Sequence, residues 1–237
     1  MIETVTALIF AHVLADFAFQ TKAMATGKDR LGPLLAHTGV VFLLSYAALG
    51  GAHWPALFIA ALHMQIDYAK ARLGSDDRLA HFLIDQGAHL MAILAAGLLW
   101  TDAYATGLWG QMPGLTAQAP EAMALIAGVL LATRAGQFAV GKLMAPYAAA
   151  LPDTEGLANG GAVIGVLERG LTFILVLSGQ MAGVGFLIAA KSFLRVGSIE
   201  KDRTLAEYVI IGTLASIGWA LLAGIGTAAL ISRLGGA

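Results

Sequence analysis

Long apolar segments occupy most of the chain and constrain its fold more than any other feature. Only 12% of its 237 residues are charged, about half the share in a typical soluble domain. A membrane-spanning helix needs roughly 20 mostly apolar residues. Segments of about that length cover approximately residues 3–20, 33–50, 54–71, 79–100, 120–141, 160–177, 179–195 and 205–231. The sequence therefore predicts an all-α, polytopic integral membrane helical bundle with about eight transmembrane helices, or seven if the sixth and seventh segments form one bent helix.

The predicted bundle is a single membrane domain, residues 1–237, with two chemically different halves. The half over residues 1–100 carries His and Asp in its helices, and the half over 120–231 carries a cluster of Arg, Lys and Glu. The absence of cysteine excludes disulfides and thiolate metal ligands. The net charge of -1 argues against nucleic acid as a partner, because that binding requires a basic surface. The predicted partners are the lipid bilayer and a small molecule.

Basic residues occur in alternate connections between the segments. Lys22, Lys28 and Arg30 follow the first segment, and further Lys and Arg residues lie around the third, fifth and seventh connections. The connections near 51–53, 101–119 and 178–179 contain neither residue type. Connections rich in Lys and Arg stay in the cytoplasm. We therefore predict a multi-pass protein of the cell inner membrane whose two termini lie on the non-cytoplasmic side.

Three of the first four segments carry a His and an Asp four residues apart, which places both side chains on one face of a helix. With a rise of about 1.5 Å per residue and alternating helix directions, these pairs lie about 5–15 Å from the cytoplasmic helix ends. Ionisable residues inside a membrane span are costly and by default indicate a functional site. The pairs, together with one histidine of the second segment, are His12, Asp16, His37, His63, Asp67, Asp85 and His89.

Imidazole and carboxylate groups together are typical ligands of zinc, manganese or iron. The sequence therefore predicts that these seven residues bind one or two divalent metal ions. Gln20, Lys70, Gln86 and Glu168 are predicted to orient the ligands or a substrate. Two alternatives stay open, because a proton or ion pathway uses the same residue types and a membrane-embedded His or Asp can simply hydrogen-bond across helices.

Basic residues in the second half are suited to bind an anionic group. Arg134, Arg169, Lys191 and Arg195 are predicted to hold it, because a metal ion beside Arg and Lys is what phosphoryl chemistry requires. Asp16, Asp67 and Asp85 are predicted catalytic residues, one of them acting as base unless a metal-bound hydroxide does so. Alternatively, Glu168 simply neutralises a neighbouring cation, and Lys191 and Arg195 extend to the membrane surface.

Several motifs resemble those of a bacterial inner-membrane family catalogued as a domain of unknown function. They are "HVLADFAFQ", "AHTGV", "HMQIDYAK", "FLIDQGAH", "GGAVIGVLERGLTFILVL", "AAKSFLR" and "EYVIIGTLAS". The resemblance covers nearly the whole chain and implies a multi-pass membrane protein. The His/Asp-bearing helices also look like those of membrane-bound metal-dependent hydrolases, in residue type rather than in aligned motif.

The leading functional prediction from the residues is an integral membrane metal-dependent hydrolase. Its predicted substrate is phosphate-containing or lipid-like, and its site lies near the cytoplasmic face. A metal- or proton-linked transporter is the second interpretation, since the same layer of residues can form a transit site. A structural membrane protein without catalysis is the third, and it predicts no stoichiometric metal.

Overall fold

The computed structural model describes residues 1–73, 78–112, 114–148, 159–199 and 203–235. Every regular element in these ranges is helical, which confirms the all-α prediction. Two π-helical segments, Ala15–Phe19 and Leu131–Ala135, and the 3-10 turn Trp109–Gln111 accompany the α-helices. The α-helices are α1 Ile2–Leu14, α2 Lys22–Thr26, α3 Leu31–Ala48, α4 His53–Leu73, α5 Leu79–Leu99, α6 Ala103–Thr106, α7 Leu115–Leu130, α8 Gly136–Ala148, α9 Gly160–Leu177, α10 Met181–Ile199 and α11 Arg203–Leu234.

Six helical stretches of the described chain are long and apolar enough to cross a membrane, so the predicted number of eight is not confirmed. Two predicted spans, residues 54–71 and 179–195, form helices but do not meet this criterion. Helix α4 has the length but is too polar, and the apolar part described for α10 covers only Met181–Phe193. The six stretches are Ile2–Phe19, Leu31–Ala48, Leu79–Leu99, Gln118–Ala148, Gly160–Leu177 and Arg203–Leu234. They are compatible with a multi-pass membrane protein.

A sharp turn separates α9 from α10, which rules out one bent helix here. Gly179 has a φ of +69°, in the left-handed region that glycine adopts without steric cost. Backbone hydrogen bonds from Gly179 to Val176 (3.0 Å) and from Gln180 to Leu175 (2.8 Å) close the end of α9. Such bonds at a left-handed residue are a common way to end a helix.

The helices form two compact units: Met1–Leu130 with Ala229–Ala237, and Leu131–Ala228. The sequence analysis placed the first half at residues 1–100 and the second at 120–231. The two compact units divide at residue 130, inside the apolar stretch Gln118–Ala148. In the first unit, α1 packs against α3, α5 and α7, while α4 packs against α3 and α5. In the second unit, α9 packs against α8, α10 and the π-helical segment Leu131–Ala135.

Small residues allow close packing in the first unit. Ala7 and Ala11 of α1 are fully buried, together with Val41 of α3 and Ala96 of α5. Alanine and glycine let membrane helices approach closely, and dispersion contacts rather than water exclusion then hold them together. This packing turns one face of each of α1, α3, α4 and α5 toward a common core, and the predicted His and Asp residues lie on those faces.

Candidate metal centre

The seven predicted ligands meet in one cluster of the first unit. Helix α1 with its π-helical continuation, α3, α4 and α5 each contribute at least one of them. Six are buried, and the partly buried Asp16 has a side chain that is only 8% exposed. Their ligand atoms form three groups that can each hold a metal ion, namely His12–Asp16–His63, His37–His63–Asp67 and Asp67–Asp85–His89. The helical spacing and the alternating helix directions therefore bring all seven side chains together.

Two imidazole nitrogens lie close to each other and to one oxygen each of Asp16 and Asp67; we call His37, His63, Asp16 and Asp67 the four-donor site. His37 Nε2 lies 3.0 Å from His63 Nε2. It lies 3.2 Å from Asp16 Oδ1 and 3.6 Å from Asp67 Oδ2. His63 Nε2 lies 3.4 Å and 3.5 Å from the same two oxygens. A tetrahedral ion with bonds of about 2.0–2.2 Å separates its ligands by about 3.3–3.6 Å, so the distances between each imidazole nitrogen and the two carboxylate oxygens are compatible with ligands of one ion.

Two oxygens of the four-donor site lack hydrogen-bond partners. Oδ1 of Asp16 and Oδ2 of Asp67 are buried, and neither accepts a hydrogen bond from the described residues. Leaving a buried acceptor unsatisfied costs about 1–3 kcal/mol, and more for a charged group. Both oxygens lie beside imidazole nitrogens, and an imidazole nitrogen is a common metal ligand. A cation beside the two imidazole nitrogens would therefore satisfy an oxygen of this kind.

His89 offers a further ligand atom on the other side of Asp67. Its Nδ1 donates to the backbone carbonyl of Asp85 at 2.8 Å, which leaves Nε2 unprotonated in the neutral ring. That nitrogen is buried without a hydrogen bond and lies 4.0 Å from Asp67 Oδ1. Asp67 therefore presents Oδ2 to the four-donor site and Oδ1 to His89. A carboxylate that faces two neighbouring sites in this way can bridge two metal ions.

Two glutamines join the cluster, as the sequence predicted for groups that orient ligands. The Gln20 amide donates to His37 Nε2 at 2.9 Å. Gln86 Oε1 lies 3.2 Å from His12 Nε2. The Gln86 amide nitrogen lies 3.4 Å from Asp16 Oδ2 and 3.3 Å from Asp85 Oδ2. Hydrogen bonds of this kind hold ligand side chains in position, and metal binding to His37 would require the Gln20 amide to swing away.

Two lysines bind the carboxylates from the edge of the cluster. Lys70 donates to Asp85 Oδ2 at 2.8 Å, as expected for a supporting group. Lys28 donates to Asp67 Oδ1 at 2.6 Å, and its side chain is only 12% exposed. Sequence reasoning missed this second contact and used Lys28 only as a loop charge. The position of Lys28 between the first two spans could have indicated this contact, because a lysine in that loop can reach back over the helix ends.

The predicted anion-binding residues belong to the second unit, and the structure brings two of them to one cavity. Arg169 is buried, and Lys191 forms an ion pair of 2.7 Å with Glu168. Arg134 is exposed and is not among the residues that line that cavity. The side chain of Arg195 lies outside the described residues. Glu168 therefore partners Lys191, which agrees with the interpretation in which it neutralises a neighbouring cation.

A family model described as a protein of unknown function (DUF3307) matches residues 4–109. The match includes the seven His and Asp residues with Lys28 and Lys70, and it ends before the second unit. It supports the resemblance to an uncharacterised family but covers less than half of the chain rather than nearly all of it. No curated protein and no solved structure matches the chain.

Proposed function

We propose that this chain is an integral membrane protein that binds one or two divalent metal ions in its first unit and hydrolyses a phosphate-containing or lipid-like substrate. The convergence of buried imidazoles and carboxylates in three groups that could each hold a metal ion carries the proposal. Imidazole and carboxylate donors without thiolate suit zinc, and they also suit manganese and iron.

The residues around the four-donor site supply the other groups that hydrolysis needs. A bound divalent ion makes water a nucleophile near neutral pH and polarises a phosphoryl or carbonyl oxygen. Asp85 Oδ1 is buried without a hydrogen bond and can accept a proton or bind a second ion. Lys28 and Lys70 now hold carboxylates. If metal ions bound Asp67 and Asp85, the two ammonium groups would be free to hold an anionic substrate.

Tight packing on one side of the cluster leaves room there for neither a transit path nor a substrate. A transit site must open to both sides of the membrane, so polar groups should continue beyond the His/Asp layer. Among the described residues, those that pack around His12, His63 and His89 include Ile59 and Ile93, and they leave a cavity of only about 10 Å³. This volume is about what one water molecule needs.

Metal analysis of the purified protein tests the metal site. Protein is expressed with zinc, manganese and iron supplied and purified in detergent without chelators. Asp67→Ala should lower the metal content, because Asp67 belongs to two of the three ligand groups, whereas His89→Ala should remove at most one ion. His53→Ala is the control, because His53 is exposed at the start of α4. Metal-free wild type, or full metal content in Asp67→Ala, would refute the site.

Activity assays then separate the three interpretations. Phosphatase and esterase substrates, both water-soluble and dispersed in micelles, are compared with metal uptake into liposomes containing the protein. We expect metal-dependent hydrolysis that falls at least 100-fold, about 2.7 kcal/mol in the barrier, in Asp67→Ala. Uptake without hydrolysis would establish the transporter instead. Bound metal with neither activity would favour a structural role.

A further inference from the structure

The second unit contains a cavity of about 420 Å³, a volume typical of sites for small molecules. Helices α8, α9, α10 and α11 line it, and all of its lining residues belong to this unit. Glycine and aliphatic residues form most of its wall, including Val140, Ile164 and Val209. Among the described residues that line it, the charged ones are Glu168, Arg169 and Lys191. The cavity therefore combines an apolar wall with one charged region.

The charged region carries a net positive charge. Glu168 and Lys191 neutralise each other in their 2.7 Å ion pair. Arg169 is only 3% exposed, and it donates hydrogen bonds to two neutral groups, Ser216 Oγ at 3.1 Å and the Thr133 carbonyl at 3.2 Å. Its Nε is buried without a partner among the described residues. A charge buried in this way is costly unless an opposite charge accompanies it.

The surroundings of Arg169 hold the guanidinium in place. A Cβ atom at Gly165 would lie 2.9 Å from Arg169 Nη1, and one at Gly136 would lie 2.8 Å from Arg169 Cδ. These two glycines therefore leave the space that the arginine side chain occupies. The π-helical segment Leu131–Ala135 adds the Thr133 carbonyl as acceptor. Wide turns of this type are frequent at functional sites.

We propose that the second unit binds an amphiphile with a singly charged phosphate head group, which contacts Arg169 and Lys191. The net single positive charge of the described groups favours a phosphodiester over a doubly charged phosphate monoester. A guanidinium suits phosphate because it can donate two parallel hydrogen bonds. The apolar wall accommodates the hydrocarbon part, and a membrane supplies such molecules as anionic phospholipids. This inference does not depend on the metal site of the first unit.

Calorimetric titration of the full-length protein in neutral detergent tests the proposal. The probe is short-chain phosphatidylglycerol, with short-chain phosphatidylcholine and inorganic phosphate as comparisons. Gly141→Leu adds a side chain to the cavity lining, where a Cβ meets no atom within 4 Å. Gly218→Leu is the matched control, because its Cβ also meets no atom within 4 Å and Gly218 does not line the cavity. Arg169→Gln removes the charge, and its thermal unfolding reports whether it folds.

Phosphatidylglycerol should bind the wild type at least tenfold more tightly than either comparison probe. Gly141→Leu and folded Arg169→Gln should each weaken this binding at least tenfold, while Gly218→Leu and Asp67→Ala leave it unchanged. If inorganic phosphate binds equally tightly, the proposal of an amphiphilic ligand is wrong, and the cavity is a site for free phosphate. Equal binding of phosphatidylcholine would overturn selection by charge. If phosphatidylglycerol does not bind, or binds Gly141→Leu as it binds wild type, Arg169 only connects helices and the proposal fails.

Discussion

Replacing Lys28 by methionine should destabilise the metal-free protein and make metal binding more stabilising. Lys28 Nζ lies 2.6 Å from Asp67 Oδ1, and the two side chains are 12% and 1% exposed. Removing one partner of such a buried pair costs about 3–5 kcal/mol, because the remaining charge stays buried. In a protein of this size, about 1 kcal/mol shifts the melting temperature by 2–4 °C. We therefore expect the chelator-treated variant to melt roughly 6–20 °C below wild type.

Zinc should reverse most of this loss, because a metal ion beside Asp67 replaces the missing ammonium charge. The assay is thermal unfolding in detergent, with chelator and then with saturating zinc, for wild type, Lys28→Met and Lys22→Met. Lys22 is exposed at the start of α2, so its substitution makes the same change of net charge outside the cluster. The reasoning is refuted if the two variants melt alike without metal. It is equally refuted if zinc raises the melting temperature of Lys28→Met no more than that of wild type.

Two further predictions concern packing and topology. Gly97→Ala should destabilise the protein by about 1–3 kcal/mol, because the new Cβ would collide with Val5 on α1. Gly87→Ala, on the same helix, should be neutral or stabilising, because its Cβ would meet no atom within 4 Å. Equal melting temperatures of the two variants would contradict this packing. The chain has no cysteine, so Arg30→Cys and Leu108→Cys, which lie at exposed positions, can be labelled singly. An impermeant maleimide should reach them from opposite sides of the membrane, and labelling from one side would exclude the predicted topology.

Features that depend on local periodicity could be predicted from the sequence. The predicted segment 160–177 coincides with α9, Gly160–Leu177, because an apolar run between turn residues leaves little freedom in its bounds. The four-residue spacing of His63 and Asp67 likewise places both on the buried face of α4. The orientation of the chain in the membrane rests on loop charges alone and stays a prediction.

Features that depend on the path of the backbone between helices could not be predicted. Lys28 reaches Asp67 only because the connection between α2 and α3 brings its ammonium group over the helix ends. The π-helical segment Ala15–Phe19, which carries Asp16, has no sequence signature in an apolar run. The two roles of Asp67, with one oxygen toward the four-donor site and the other toward His89, depend on the rotation of one carboxylate.

Charge and geometry together favour a metal ion over a purely hydrogen-bonded network. In the contacts described around the cluster, Asp16, Asp67 and Asp85 carry three negative charges, and Lys28 and Lys70 carry two positive ones. A proton on one imidazole would balance the remaining negative charge. One N–H group, however, makes a strong, well-aligned hydrogen bond to only one acceptor. His37 and His63 approach each other and the same two carboxylate oxygens at once. One divalent ion held by these residues would leave one positive charge, which a hydroxide ion would neutralise. In the proposed hydrolase, that hydroxide would be the nucleophile.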